Sequence, residues 1–222
     1  VKNLQTFVII PAKRLDRAKS RLSTLLKPAE RRELSLAMLR HVIQASLNAK
    51  SVCRVVVVSP DYLILREAKR LGAEVIEDVN DLNAAVTKAM SWCAKRGATA
   101  TLTIPSDLPL LQPKDLDNMV NLLQGRRGVV LCPSTDGGTN ALLCSPPNII
   151  EPCFGPRSFY KHLNEACKQG LPYLTYHSSS VSFDVDTPLD LKRLKLGRSR
   201  GEFCGEDGWY GDASNKEERK KA

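Results

Sequence analysis

The sequence predicts an α/β protein with a mostly parallel sheet covered by helices on both faces. Three observations predict it. Over the first 125 residues, strand-like and helix-like segments alternate, the pattern of βα units laid into one sheet. Val55-Val56-Val57-Val58 is an unbroken β-branched run, as expected of a strand buried on both faces. Helical stretches close on Gly72, Gly97 and Gly170, where a chain that turns back favours glycine.

In chain order, residues 6–10 are an apolar strand ending at Pro11. A basic loop follows. Residues 28–47 read as a helix, with Pro28 in the first turn and Leu34, Met38, Val42 and Ala45 at helical spacing. The strand at 55–58 leads to a helix over 61–71 and a short strand over 73–77. Residues 81–96 form a helix with Leu82, Ala85, Val86, Ala89, Met90 and Cys93 on one face. A strand over 99–104 and a helix over 113–123 complete the regular half. Beyond it, strands at 129–132 and 141–144 flank the turn-rich Asp136-Gly137-Gly138-Thr139-Asn140. A helix over 157–169, strands over 173–176 and 181–185, and a helix over 188–196 follow. From residue 197 the chain is glycine-rich, charged and poor in apolar residues. Residues 1–196 therefore form one domain, and 197–222 a flexible charged tail.

Bulk properties narrow the function. With 42% hydrophobic but 5% aromatic residues, the core is aliphatic. No apolar stretch approaches the ~20 residues that span a bilayer. The opening VKNLQTFVIIPAKR lacks a signal peptide's long apolar region and cleavage site. The seven cysteines are odd in number and include no CxxC pair. This fits a reduced, cytoplasmic chain without a zinc ribbon. The three histidines show no metal-ligand spacing. Net charge is +9, and Lys13, Arg14, Arg17, Lys19, Arg21, Lys27, Arg31 and Arg32 face only Asp16 and Glu30 in the same stretch. Such an excess favours anionic partners. Nucleic acid is disfavoured, because residues 11–32 contain no aromatic side chain on which a base could stack.

The chemistry-bearing residues sit where predicted strands end. Lys13 follows the first strand by three positions, Asp107 follows the strand over 99–104, and Asp184 and Asp186 close the strand over 181–185. Parallel order brings such ends to the ligand edge of the sheet. Carboxylates hold magnesium through oxygen, and lysines neutralise the remaining phosphate charge. The loop PAKRLDRAKSRLS offers Lys13, Lys19 and Arg21, but neither a Walker A loop nor GxGxxG occurs. In TIPSDLPLL, Pro105 and Pro109 restrain the chain on either side of Asp107. In FDVDTPLDL, alternation places Asp184 and Asp186 on one face of a strand, or else Asp186 or Thr187 serves to cap the helix from Pro188. Gly137 and Gly138 suit either a close ligand approach or a hairpin turn. Gly155-Pro156-Arg157-Ser158 suits either an anion or an N-cap by Ser158. His162 reads as a packed helical residue.

Together these segments resemble the 2-phospho-L-lactate guanylyltransferase family over residues 6–196. The residues that carry the resemblance run through the chain: Pro11-Ala12-Lys13, Ala18-Lys19-Ser20-Arg21-Leu22, Asp81-Leu82-Asn83-Ala84-Ala85 and Ser106-Asp107-Leu108-Pro109, then Asp136-Gly137-Gly138-Thr139-Asn140-Ala141, Phe154-Gly155 with Ser158-Phe159, and Asp184-Val185-Asp186-Thr187-Pro188 with Asp190-Leu191. The resemblance implies a Rossmann-like three-layer α/β/α sandwich of the nucleotide-diphospho-sugar transferase type. It implies attack of a 2-phospho-L-lactate phosphate on the α-phosphorus of GTP, with loss of pyrophosphate, in making a deazaflavin coenzyme. Phosphoenolpyruvate or 3-phosphoglycerate serve as acceptors in related members. By motif, Lys13, Lys19 and Asp107 are catalytic, and Asp107, Asp186 and Asp184 bind Mg2+. Pro11, Ala12, Lys13, Lys19, Arg21, Asn83, Ala84 and Ser106 hold the nucleotide. Thr139, Asn140, Gly155 and Ser158 hold the phosphorylated acid. The resemblance also implies a homodimer.

Overall fold

In the computed structural model, which describes residues 4–79 and 81–199, seven strands form one sheet. They are β1 (Thr6–Pro11), β2 (Val52–Ser59), β3 (Glu74–Glu77), β4 (Ala100–Thr103), β5 (Gly128–Pro133), β6 (Thr139–Ser145) and β7 (Tyr173–Thr175). Their order is β3-β2-β1-β4-β6-β5-β7. Strand β1 pairs parallel with β2 and β4, β2 with β3, and β5 with β7. Only β6 reverses, antiparallel to both β4 and β5. It reverses because a short hairpin, not a helix, joins it to β5. The start of β6 therefore lies at the edge where β1, β4 and β5 end.

Helices α1 (Pro28–Leu47), α2 (Tyr62–Arg70), α3 (Leu82–Lys95), α4 (Pro113–Leu123), α5 (Ser158–Lys168), α6 (Ser179–Ser182) and α7 (Pro188–Ser199) are the α-helices of the described residues. Alternation along the strands splits the core in two. Val8, Ile10, Val55 and Val57 pack with Leu39, Val42 and Ile43 of α1, Ile64 of α2 and Met119 of α4. Phe7, Ile9, Val56 and Val58 pack with Val86 and Met90 of α3 and Ala166 of α5. The result is the three-layer sandwich the sequence implied. Each buried aliphatic side chain stabilises it by about 1.5–3 kcal/mol. Asp61 and Asp81 cap α2 and α3, accepting from the N–H of Leu63 at 2.9 Å and of Ala84 at 3.0 Å.

A third, smaller core shapes the site. It joins Leu22 of the basic loop, Leu34 and Met38 of α1, Val185, and Leu191 and Leu194 of α7. It also corrects the strand expected over 181–185. Helix α6 occupies Ser179–Ser182, and residues 183–186 have no ladder partner. The apolar alternation there is real, but Val181 belongs to the first core and Val185 to the third. Two separate cores, not one sheet face, bury these valines. Helix α7 runs to Ser199, three residues into the predicted tail. The rest of that tail, 200–222, lies outside the described residues. Among the described residues no helix is long and apolar enough to cross a membrane.

Candidate functional site

A cleft of about 850 Å³ opens at the carboxyl edge of β1 and β4. Of the residues singled out from the sequence, Pro11, Ala12, Lys13, Lys19, Arg21, Ser106, Asp107, Thr139, Asn140, Gly155, Ser158, Asp184 and Asp186 line it. Asn83 and Ala84 do not; on α3 their neighbours Leu82 and Ala85 turn inward instead.

Asp107 stands on a turn fixed at both ends. The Ile104 N–H donates to the Ile9 carbonyl at 3.0 Å, continuing the ladder one residue past β4. Leu108 and Leu111 are fully buried just beyond the turn. Between these anchors the carboxylate is lifted into the cleft, its side chain 24% exposed. The basic loop arrives from β1. The Leu15 N–H donates to Asp61 Oδ2 at 2.9 Å, tying the loop to the start of α2. At Lys19 the backbone turns left-handed (φ 51°) before a short 3-10 turn, Ser20–Leu22, a conformation that L-residues adopt at a cost of about 1–2 kcal/mol.

Lys19 Nζ donates to Asp107 Oδ2 at 2.5 Å and to Asp186 Oδ1 at 2.8 Å. Its side chain is only 7% exposed. The third core explains the meeting: Leu22 and Val185 are both buried in it. Lys19 lies three residues before the one, and Asp186 immediately after the other. The Thr187 N–H and hydroxyl donate to Asp190 Oδ2 at 2.8 and 2.6 Å, so the turn carrying Asp186 is locked by the cap of α7. Arg21 Nη1 lies 3.8 Å from Asp186 Oδ2 and is otherwise open to solvent. Burial depresses the Lys19 ammonium, but Asp107 and Asp186 more than offset it and hold it above the ordinary lysine value. Burial likewise opposes ionisation of Asp186, and Lys19, then Arg21, outweigh it and lower its pKa. Asp184 behaves differently. Burial, with the negative charge of Asp107, pushes it up to about 6. Its Oδ1 accepts from Asn140 Nδ2 at 3.2 Å, a nitrogen that also donates to the Val181 carbonyl at 3.0 Å.

The cleft lining also carries hydroxyls. Thr139 and Ser158 are buried, and Ser158 Oγ donates to Thr139 Oγ1 at 3.2 Å. Ser158 is the first residue of α5, not its N-cap as the sequence suggested; Arg157 holds that position, and the Ser158 hydroxyl is turned to Thr139. Behind Thr139 lies His162, with Nδ1 3.0 Å from its Oγ1. Gly155 holds φ at 126°, a left-handed value that side chains resist, just ahead of α5. Asn83 has its amide committed to the loop. Its Oδ1 accepts from the Phe154 N–H at 2.7 Å, and its Nδ2 donates to the Phe154 carbonyl at 3.2 Å. Asn83 therefore anchors the 153–158 wall from outside the cleft. Ser59, Asp78 and Ser134 line the cleft without having been singled out from the sequence, and Asp61 and His162 support it from behind. Asp61 carried the signal of a polar residue before a helix, whereas His162 carried none.

A basic loop after the first strand and aspartates at the carboxyl edge of a mixed, mostly parallel sheet form a cleft suited to a phosphate-rich ligand. Solved structures share this fold. A Desulfovibrio desulfuricans chain assigned to the nucleotide-diphospho-sugar transferases superposes with a TM-score of 0.77 at 16% identity, covering 92% of each chain. A Methanothermobacter nucleotidyl transferase gives 0.66 at 16% identity, covering 90% of this chain and 100% of that one. Residues 6–201 match the family described as guanylyl transferase CofC like. The chain is 39% identical over 193 residues to the phosphoenolpyruvate guanylyltransferase of Sphaerobacter thermophilus, covering 86% of this chain and 93% of that one. It is 39% identical over 195 residues to the 2-phospho-L-lactate guanylyltransferase of Methanothermobacter thermautotrophicus, covering 87% and 85%. The chain belongs to this guanylyltransferase family.

Proposed function

We propose that this guanylyltransferase joins GTP to 2-phospho-L-lactate, forming lactyl-2-diphospho-5'-guanosine and releasing pyrophosphate, a step in making deazaflavin coenzyme F-420. The observation that carries the reading is that one cleft is lined by two chemically different groups. One group is Lys13, Lys19, Arg21, Asp107 and Asp186, and the other is Thr139, Gly155 and Ser158. The first suits a triphosphate and the second a small phosphorylated acid. The acceptor phosphate is ionised at neutral pH, so attack needs no general base. Catalysis then rests on positioning and charge neutralisation, which fits a cleft built of lysines and carboxylates.

The aspartates fit Mg2+. Asp107 and Asp186 converge on one cation, the Lys19 ammonium, through hard oxygen donors. Two carboxylates completed by substrate phosphates are the usual magnesium arrangement. Among the described residues no three acidic, histidine or cysteine side chains form a metal group. Asp107 and Asp186 are the proposed ligands, joined by Asp184, which Asn140 holds beside them. Bound there, the ion would withdraw charge from the triphosphate. Lys19 keeps the two carboxylates together and, in this reading, turns its ammonium to phosphate when the ion binds. Lys13 and Arg21 neutralise the remaining oxygens.

A second reading has phosphoenolpyruvate as acceptor, favoured by the equal identity to the Sphaerobacter enzyme. One panel tests both. Each of GTP, ATP, CTP and UTP is mixed with magnesium and with 2-phospho-L-lactate, phosphoenolpyruvate or 3-phosphoglycerate, and pyrophosphate is measured. Release with GTP and 2-phospho-L-lactate is expected. Release with phosphoenolpyruvate alone transfers the function to the second reading, and no release with GTP removes both.

A further inference from the structure

Behind the hydroxyl wall, His162 is fully buried and does not line the cleft. Its two nitrogens are unequal. The main-chain N–H of Cys153 donates to Nε2 at 2.8 Å. An amide N–H can only donate, so Nε2 is bare. A neutral imidazole then carries its one proton on Nδ1. That proton points to Thr139 Oγ1, 3.0 Å away. Ser158 Oγ donates to the same oxygen at 3.2 Å. A hydroxyl oxygen has two lone pairs, and both are now engaged. Among the described residues no acceptor is in place for the remaining Thr139 proton, and Thr139 lines the cleft.

We propose that His162 is a positioning residue: by donating from Nδ1 it compels Thr139 to offer its hydroxyl proton to an anionic oxygen of the phosphorylated acid. This rests on the reading that Thr139 and Ser158 hold that acid. The ring plane is fixed from the side by Phe154, edge-on with centroids 5.0 Å apart. Burial, with the positive charge of Lys161, pulls His162 down to about 4, so the ring is neutral in the working enzyme. Without the histidine, Thr139 could rotate and spend its proton elsewhere, and the wall would lose its directed donor.

Two measurements test this. Long-range proton–nitrogen NMR on 15N-histidine protein at neutral pH should show His162 protonated on Nδ1 and bare on Nε2. Steady-state kinetics, with phosphoenolpyruvate and 2-phospho-L-lactate as probes, should show Thr139→Val raising KM for the acid about tenfold to a hundredfold. KM for GTP should stay within about twofold. His162→Phe should cause the same selective loss, and His162→Gln, which keeps both a donor and an acceptor, should restore part of it. The double variant should lose little beyond Thr139→Val alone, because the two residues act through one hydroxyl. A proton on Nε2, an unchanged acid KM in Thr139→Val, or additive losses would overturn the proposal. Wild-type protein that releases no pyrophosphate with any acid sinks the functional reading and the ligand named here. A bare Nδ1 in an active enzyme sinks the histidine's role alone.

Discussion

At Asp107 one carboxylate balances Lys19 and, in the proposed function, also holds a cation near phosphate. Its side chain is partly exposed, and the turn that carries it is anchored by Ile104, Leu108 and Leu111 rather than by the carboxylate. Asp107→Asn should therefore fold normally and lose at least about a hundredfold in turnover, the scale on which placed charge acts. Thermal melting and pyrophosphate release on the same preparation check this. An unfolded variant would make the carboxylate structural, and normal turnover would make it dispensable. Lys19 shows the same economy. It is nearly buried because two aspartates compensate its charge.

Among the elements, the small third core is the hinge of the argument. Leu22 is fully buried between α1 and the segment before α7, and its packing holds Lys19 against Asp186. Leu22→Ala should destabilise the fold by about 2–5 kcal/mol. It should also raise KM for GTP more than KM for the acid, as chemical denaturation and kinetics would show. The clamp between α3 and the 153–158 wall makes the converse prediction. Asn83→Ala removes two hydrogen bonds to Phe154, each worth about 1 kcal/mol. KM for the acid should rise more than KM for GTP. A rise confined to GTP would return Asn83 to the nucleoside, where the family resemblance had it.

Over the whole molecule, acid stability should carry the mark of His162. Its pKa is about 4 folded against an ordinary 6.5, so below 6.5 the unfolded chain takes up a proton that the folded chain refuses. Stability is complete above pH 6.5 and is lost as the pH falls towards 4, by on the order of 3 kcal/mol. Urea titrations across that range should show the loss in the wild type and a flatter profile in His162→Gln. Equal slopes would mean that another group governs acid unfolding.

Much of this was written in the chain itself. Valine runs, helical periodicity and helix-closing glycines are local signals, because burial on a strand or helix repeats at a fixed spacing. They located β1 to β6 and most helices to within a few residues, and the basic loop and Asp107 with them. The strand over 181–185 was misread because alternation reports burial but not what buries it. Val181 and Val185 sit in different cores. Asn83 was likewise legible as a motif residue, but its direction depends on Phe154, far along the chain. The sequence alone thus determined the layered fold, the ligand edge and the residue types that meet there. Tertiary structure decided which of them touch. Lys19 reaches Asp107 and Asp186, and Thr139 reaches His162, through packing between segments distant in sequence, which no local spacing encodes.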